Sequence, residues 1–163
     1  MPGSKNSAPP LINGFLNLYK PIGITSMEAL RRVKRTTGQR NKVGHGGTMD
    51  PLARGVLPVC FGQATRLMDH VLGGRKRYRM EIKLGVSTTT YDAEGDVVLE
   101  RDPGGVTLNT VVSAIQGYIG EIQQTPPMYS AIKIQGQRLY KLARAGIEVE
   151  RQARSVQIHD IQV

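Results

Sequence analysis

The stretch Gly44-His45-Gly46-Gly47-Thr48-Met49-Asp50-Pro51-Leu52-Ala53-Arg54-Gly55-Val56-Leu57-Pro58 decides how the rest of the chain is read. It is too broken by glycine to be a helix or a strand, and too apolar after Asp50 to be a plain solvated loop. Glycine without a Cβ lets the backbone approach something bulky. Pro51 pushes Asp50 away from helical dihedrals, and its own ring fixes the exit from the turn. The result is one short carboxylate on a stiff backbone, with the His45 imidazole five residues before it. Two uses are open for Asp50: an acid that caps a turn, or a nucleophile toward a sugar or base carbon. A glycosidase would set a second carboxylate opposite, and the basic neighbours supply none. His45 is equally open, as a hydrogen-bonded structural histidine or as a partner at the site.

Working outward, 163 residues make the usual size of one domain and can bury a real core. Lys and Arg number 22 against 13 Asp and Glu, a net charge of +9, which points to a polyanionic partner, nucleic acid ahead of a membrane surface. The cations are grouped: Arg31, Arg32, Lys34, Arg35, Arg40 and Lys42; Arg75, Lys76, Arg77, Arg79 and Lys83; and Lys133, Arg138, Lys141 and Arg144. The acids gather at Asp92, Glu94, Asp96, Glu100 and Asp102. A two-signed surface orients a polyanion as well as attracting it. Cys60 is the single cysteine, so no disulfide forms within the chain, which fits a reducing cytoplasm. Between Val59 and Phe61 it reads as a small buried hydrophobe. No apolar run approaches the ~20 residues that span a bilayer.

Residues 1–10 read as a disordered leader and 11–163 as one domain. A strand is expected at 14–18, stopped by Lys20-Pro21. Thr25-Ser26-Met27-Glu28 is a capping box that opens a helix through Thr37, ended by Gly38. Ala29, Leu30 and Val33 form its apolar stripe, with the cations opposite, where they could equally be a solvated face. A helix at 64–72 is closed by Gly73-Gly74. The clearest alternation lies at 77–86, where Tyr78, Met80, Ile82 and Leu84 share one face of a predicted strand and Tyr78 begins its buried side. A short strand at 97–99, a helix at 107–118, strands at 129–134 and 155–163 and a short helix at 139–145 complete the pattern. Strict alternation of strand and helix is missing, so the fold class is α+β with a mixed, mainly antiparallel sheet flanked by helices. The chain stops within strand-like sequence, so the sheet is expected to be incomplete at its C-terminal end.

His45, His70 and His159 are scattered and have no cysteine pair beside them, so no metal is expected. The glycines at 44–47 lack the Lys-Ser/Thr of a phosphate loop, so no nucleotide cofactor is expected either.

These residues carry a resemblance. Gly44-His45-x-Gly-Thr-Met-Asp50-Pro-Leu-Ala-x-Gly-Val-Leu-Pro resembles the catalytic motif of the TruB family of tRNA pseudouridine synthases. Gly14-Phe15-Leu16-Asn17-Leu18-Tyr19-Lys20-Pro21-x-Gly23-x-Thr25-Ser26 is similar to that family's first motif, and Lys76-Arg77-Tyr78 to its tyrosine motif. Pro127-Met128-Tyr129-Ser130-Ala131-Ile132-Lys133, with Gly136 and Leu139-Tyr140, resembles its RNA-gripping insertion, at about 124–154.

The resemblance implies a pseudouridine synthase core. It also implies an intramolecular transfer that converts a T-loop uridine, position 55 of tRNA, to pseudouridine by base flipping, without metal or cofactor. It makes Asp50 the nucleophile, His45 a wedge stacked where the flipped base came from, and Tyr78 the ring that stacks on the uracil. Lys20, Pro21 and Gly47 would shape the pocket, with Asp92 an acid behind it. Arg31, Arg35, Lys76, Arg77, Lys133 and Arg138 would follow the RNA backbone. The partner would be the T stem-loop of tRNA, the protein a cytoplasmic monomer. Relatives continue with a Gly-x-Tyr-Ile-Arg motif, whose arginine pairs with the aspartate, and with a leucine motif; neither occurs in these 163 residues. A non-catalytic tRNA-binding module, or an inactive fragment, is therefore a second expectation. A guide-RNA-dependent synthase acting on ribosomal RNA is a third.

Overall fold

The computed structural model describes residues 10–163. Apart from Pro10, the expected leader lies outside the described residues. The chain divides into two units after Tyr78.

The first unit is built on an antiparallel sheet in the order β1-β3-β2, formed by β1 (Gly14–Lys20), β2 (Val43–His45) and β3 (Gly55–Phe61). Helix α1 (Ser26–Thr37) begins where Thr25 Oγ1 accepts from the Glu28 amide at 3.1 Å. It ends at Gly38, whose left-handed φ of 62° lets its amide return to the Arg35 carbonyl. Leu30 and Val33 on its inner face pack with Val59 and Phe61, and Leu18 and Val43 close the cluster. Arg31, Arg32, Lys34 and Arg35 all face solvent.

The motif stretch is therefore not free of regular structure, as the sequence suggested. Its two ends are strands, and β3 is the centre of the sheet. The glycines leave room for the protein's own next segment, a 3-10 turn (Gly62–Leu67) followed by α2 (Met68–Gly73). A Cβ on Gly46 would lie 2.7 Å from Val71 Cγ1, and one on Gly44 would run into Met68 Cε. Leu57, Val59 and Cys60 in β3 are fully buried. Pro58 is tolerated in this central strand because the β2 ladder ends beside it, at His45↔Val59. A residue's N–H and C=O face the same neighbour in an antiparallel ladder. The Pro58 carbonyl accepts from Gly46 N at 2.8 Å, so its missing donor faces the side where β2 stops rather than β1.

In the second unit β4 (Val86–Thr88) pairs with β5 (Val97–Glu100), and α3 (Leu108–Gln116) starts at Thr107, whose hydroxyl accepts from the Thr110 amide. β6 (Gly120–Gln124) pairs with β9 (Arg154–Ile158). Their last pair is Gln124↔Arg154, reinforced by the Arg154 guanidinium on Gln124 Oε1 at 3.1 Å. The segment between them leaves and returns through this one neck. It holds a hairpin of β7 (Lys133–Ile134) and β8 (Gln137–Arg138), then α4 (Leu139–Arg144) with Leu139 fully buried. Gln135 and Gly136 both have positive φ, 49° and 82°, the signature of a type I′ turn. Every strand pairing among the described residues is antiparallel, and the fold class is α+β.

Several elements differ from the sequence reading. No strand forms at 77–83, and Tyr78 is not on a buried face: its side chain is 74% exposed. Alternation supplies a face but not a ladder, and no described strand pairs there. The strand expected at 129–134 shrinks to Lys133–Ile134, because a turn joins Ser130 N to Met128 O. The helix at 64–72 divides into the 3-10 turn and α2, and the last strand ends at Ile158. β6 had no apolar alternation to announce it, since Glu121, Gln123 and Gln124 dominate its sequence.

Phe61, 3% exposed, and Phe15, 53% exposed, give a matched test of this core. Phe61→Ala should cost about 3–5 kcal/mol in denaturant unfolding and Phe15→Ala about 1 kcal/mol or less; equal losses would place the core elsewhere. Burial pushes the Cys60 thiol up from its ordinary value, so the reactive thiolate is scarce. A disulfide reagent should leave Cys60 unmodified in the folded protein and label it on unfolding; rapid labelling under native conditions would contradict the placement.

Candidate functional site

Asp50 sits on a mount made by the corner between β1 and α1. On its N-terminal side, the Met49 amide donates to Ser26 Oγ at 2.8 Å, and that hydroxyl donates back to the Met49 carbonyl at 3.2 Å. On its C-terminal side, Gly23 N donates to the Pro51 carbonyl at 2.8 Å. The Asp50 carbonyl closes a turn by accepting from Ala53 N at 3.0 Å. Both neighbours of Asp50 are thus tied to one corner, while its own side chain is exposed. Among the described residues its carboxylate makes no hydrogen bond and no ion pair. Such a carboxylate caps nothing and is available to attack, or to stabilise positive charge on, a bound molecule.

The corner is itself braced. Lys20, the last residue of β1, is completely buried. Its Nζ donates to the Pro21 carbonyl at 3.0 Å and to the Ile24 carbonyl at 2.7 Å, across the turn that carries Gly23. Gly23 needs its φ of 88° to aim its amide at Pro51, a conformation that side chains resist. Lys20 pairs with Gly55, where the Asp50 loop re-enters the sheet. Pro21 is exposed at the start of the turn. Lys20 and Pro21 therefore belong to the support of Asp50, as a brace beneath it.

His45 ends β2 half-buried, and its Nδ1 is hydrogen-bonded to the Gly47 carbonyl. That contact fixes the ring and leaves Nε2 free as an acceptor when the imidazole is neutral. Gly47, at φ 138°, makes the return of its carbonyl toward the ring feasible.

Other expected site residues are placed differently. The Lys76 ammonium caps the end of α2, on the Leu72 and Gly74 carbonyls at 2.5 and 3.0 Å. Arg77 and Tyr78 follow it, exposed. Asp92 lies in the second unit and organises its own turn. Its Oδ1 accepts from Thr90 Oγ1 at 2.5 Å and from the Glu94 amide at 2.9 Å. Lys133 and Arg138 occupy β7 and β8. Lys133 also lines a cleft of about 560 Å³, together with Arg151, Arg154, Ile132, Ile134 and Leu139.

Sequence reasoning missed Ser26 and Gly23 as parts of the Asp50 mount. The available signal was the pair Thr25-Ser26: a helix N-cap uses one hydroxyl, and the second needed an explanation.

A family model described as TruB family pseudouridylate synthase (N terminal domain) matches residues 34–163. The chain is 50% identical over 152 residues to tRNA pseudouridine synthase B of Clostridium tetani, covering 93% of this chain and 52% of that protein. It is 48% identical to the protein of the same name from Symbiobacterium thermophilum, over all of this chain and 54% of the other. The chain thus spans about half the length of the curated relatives it matches. Among solved structures, a Cbf5-Nop10-Gar1 complex contains a chain of similar fold, with a TM-score of 0.52 and 26% identity over 88% of this chain and 33% of that one. The exposed carboxylate on its two-sided mount lies inside the matched region, and the chain belongs to the TruB family of pseudouridylate synthases, of which it carries the N-terminal domain.

Proposed function

We propose that the protein carrying this chain converts a T-loop uridine of tRNA to pseudouridine, with Asp50 as the nucleophile. The single observation that carries this reading is the Asp50 carboxylate, exposed and unspent, between Met49 and Pro51, which are both tied to the β1–α1 corner. The family match and the names of the relatives supply the reaction class.

The reaction is an isomerisation, so no atom is gained or lost. The N1–C1′ bond breaks, the uracil turns, a C5–C1′ bond forms, and the proton on C5 is exchanged for one on N1. It needs a group able to accept the sugar carbon or the base transiently, and a dry pocket for a flipped base. Asp50 serves the first need. Tyr78, with its ring exposed, stacks on the uracil and assists the proton movement. His45, its ring fixed through Nδ1, fills the gap left in the T-loop. Lys20 and Pro21 brace the corner that carries Asp50, and Gly47 holds the His45 ring. Extrusion of a base costs a few kcal/mol, which stacking and phosphate contacts offset. The exposed cations of α1, with Arg77, Lys133 and Arg138, follow the tRNA backbone. The protein acts in the cytoplasm as a monomer.

Asp50→Asn in the full-length protein should lower pseudouridine formation by ~10⁴-fold or more while leaving tRNA affinity within a few-fold. Retained catalysis would remove Asp50 from the reaction, and a wild type that binds tRNA without modifying it would favour the non-catalytic binding module.

The double substitution Arg31→Glu and Arg35→Glu reverses charge on the outer face of α1. It should weaken tRNA binding and flatten the log–log salt dependence by ~0.7–0.9 for each phosphate that is no longer neutralised. An unchanged slope would make that face merely solvated.

A further inference from the structure

We infer that Ser26 is a positioning residue for Asp50, assigned by its two-way hydrogen bond to Met49, and this rests on the reaction proposed above. Ser26 is the first residue of α1 and is only 3% exposed. An ordinary role for a hydroxyl there is to satisfy an orphan amide of the first helical turn. That role is already taken: Thr25 Oγ1 accepts from Glu28 N. Ser26 instead turns away from its own helix and reaches 23 residues along the chain.

The geometry is specific to a hydroxyl. One oxygen accepts the Met49 amide at 2.8 Å and donates to the Met49 carbonyl at 3.2 Å. Both backbone polar groups of Met49 are thereby satisfied by a single side chain, and their orientation is set by it. Neither alanine nor an acceptor-only side chain reproduces both bonds. Asp50 follows directly, so the direction of its Cα–Cβ bond is inherited from the backbone at Met49. The Gly23–Pro51 bond restrains the far side alone. Without Ser26 the loop would be tied to the β1–α1 corner only after Asp50, and the segment from Gly47 to Asp50 could swing between that tie and the end of β2. Loss of near-attack geometry of about 1 Å can cost ~10²-fold in rate.

Thr25 and Ser26 give an internal control. Both are hydroxyl residues at the same end of α1. Thr25 serves the helix, whereas Ser26 serves the Asp50 loop. A purely structural role predicts that Thr25→Ala and Ser26→Ala act alike, through stability. A positioning role separates them.

The test uses the full-length protein with each alanine substitution, in three measurements: single-turnover pseudouridine formation at saturating tRNA, tRNA dissociation constant, and hydrogen exchange at the Met49 amide. Ser26→Ala should slow the single-turnover step ~10–100-fold, leave tRNA affinity within about twofold, and speed exchange at Met49. Thr25→Ala should lower the melting temperature yet keep the single-turnover rate within about threefold and Met49 exchange unchanged. A Ser26→Ala protein with wild-type rate and wild-type exchange overturns the inference, as does an equal slowing by both substitutions. A wild type that forms no pseudouridine, but whose Met49 exchange still rises on Ser26→Ala, overturns the reaction and not the clamp.

Discussion

The attachment of the Asp50 loop to the corner between β1 and α1 is the constraint on which the site depends. Three hydrogen bonds make it: two between Ser26 and Met49 and one from Gly23 to Pro51. A loop of residues 46–54 would otherwise span the gap between β2 and β3 with its conformational freedom intact. Ordering each backbone residue costs about 1–2 kcal/mol, a cost that a mobile loop would face each time it bound a ligand. The fold meets it in advance. Residues far from the loop contribute to the same end: Lys20 holds the turn that presents Gly23, and Met68 and Val71 of α2 pack closely on Gly44 and Gly46.

The sheet explains why this loop can be both stiff and open. β3 is central, and Leu57, Val59 and Cys60 within it are fully buried. Its first residue, Gly55, pairs with Lys20 at the end of β1. The loop therefore springs from the most deeply buried strand of the unit and lies at the sheet's end, where its tip faces solvent. Rigidity comes from the core and exposure from the position, so Asp50 needs no partner of its own to stay in place.

Much of this was legible in the sequence where the signal was local. Thr25, Glu28 and Gly38 bounded α1 closely, because capping chemistry acts within a few residues. The stripe of Ala29, Leu30 and Val33 announced its buried face, and Cys60 its burial. What could not be read was nonlocal. The glycines at 44 and 46 looked like breaks, but they are concessions to Met68 and Val71, over twenty residues later in the chain. Residues 77–83 had the alternation of a strand, yet a strand is defined by its neighbour, and none pairs there among the described residues. β6 shows the converse, being polar along most of its length and a strand only because β9 returns to it. Ser26 was visible as a residue and unassigned as a function: the spacing to Glu28 marks Thr25 as the cap, and the partner of Ser26, Met49, lies 23 residues along the chain.

The central claim is that the fold holds Asp50 ready to react with a flipped uridine. The most direct measurement is a crystal structure of the full-length protein bound to a tRNA T stem-loop. The account predicts a carboxylate oxygen of Asp50 about 3–3.5 Å from C1′ or from a ring carbon of an extruded uracil, with the Ser26–Met49 and Gly23–Pro51 bonds intact. A complex in which the uridine stays stacked in its loop, or in which Asp50 points away to cap a turn, would contradict it.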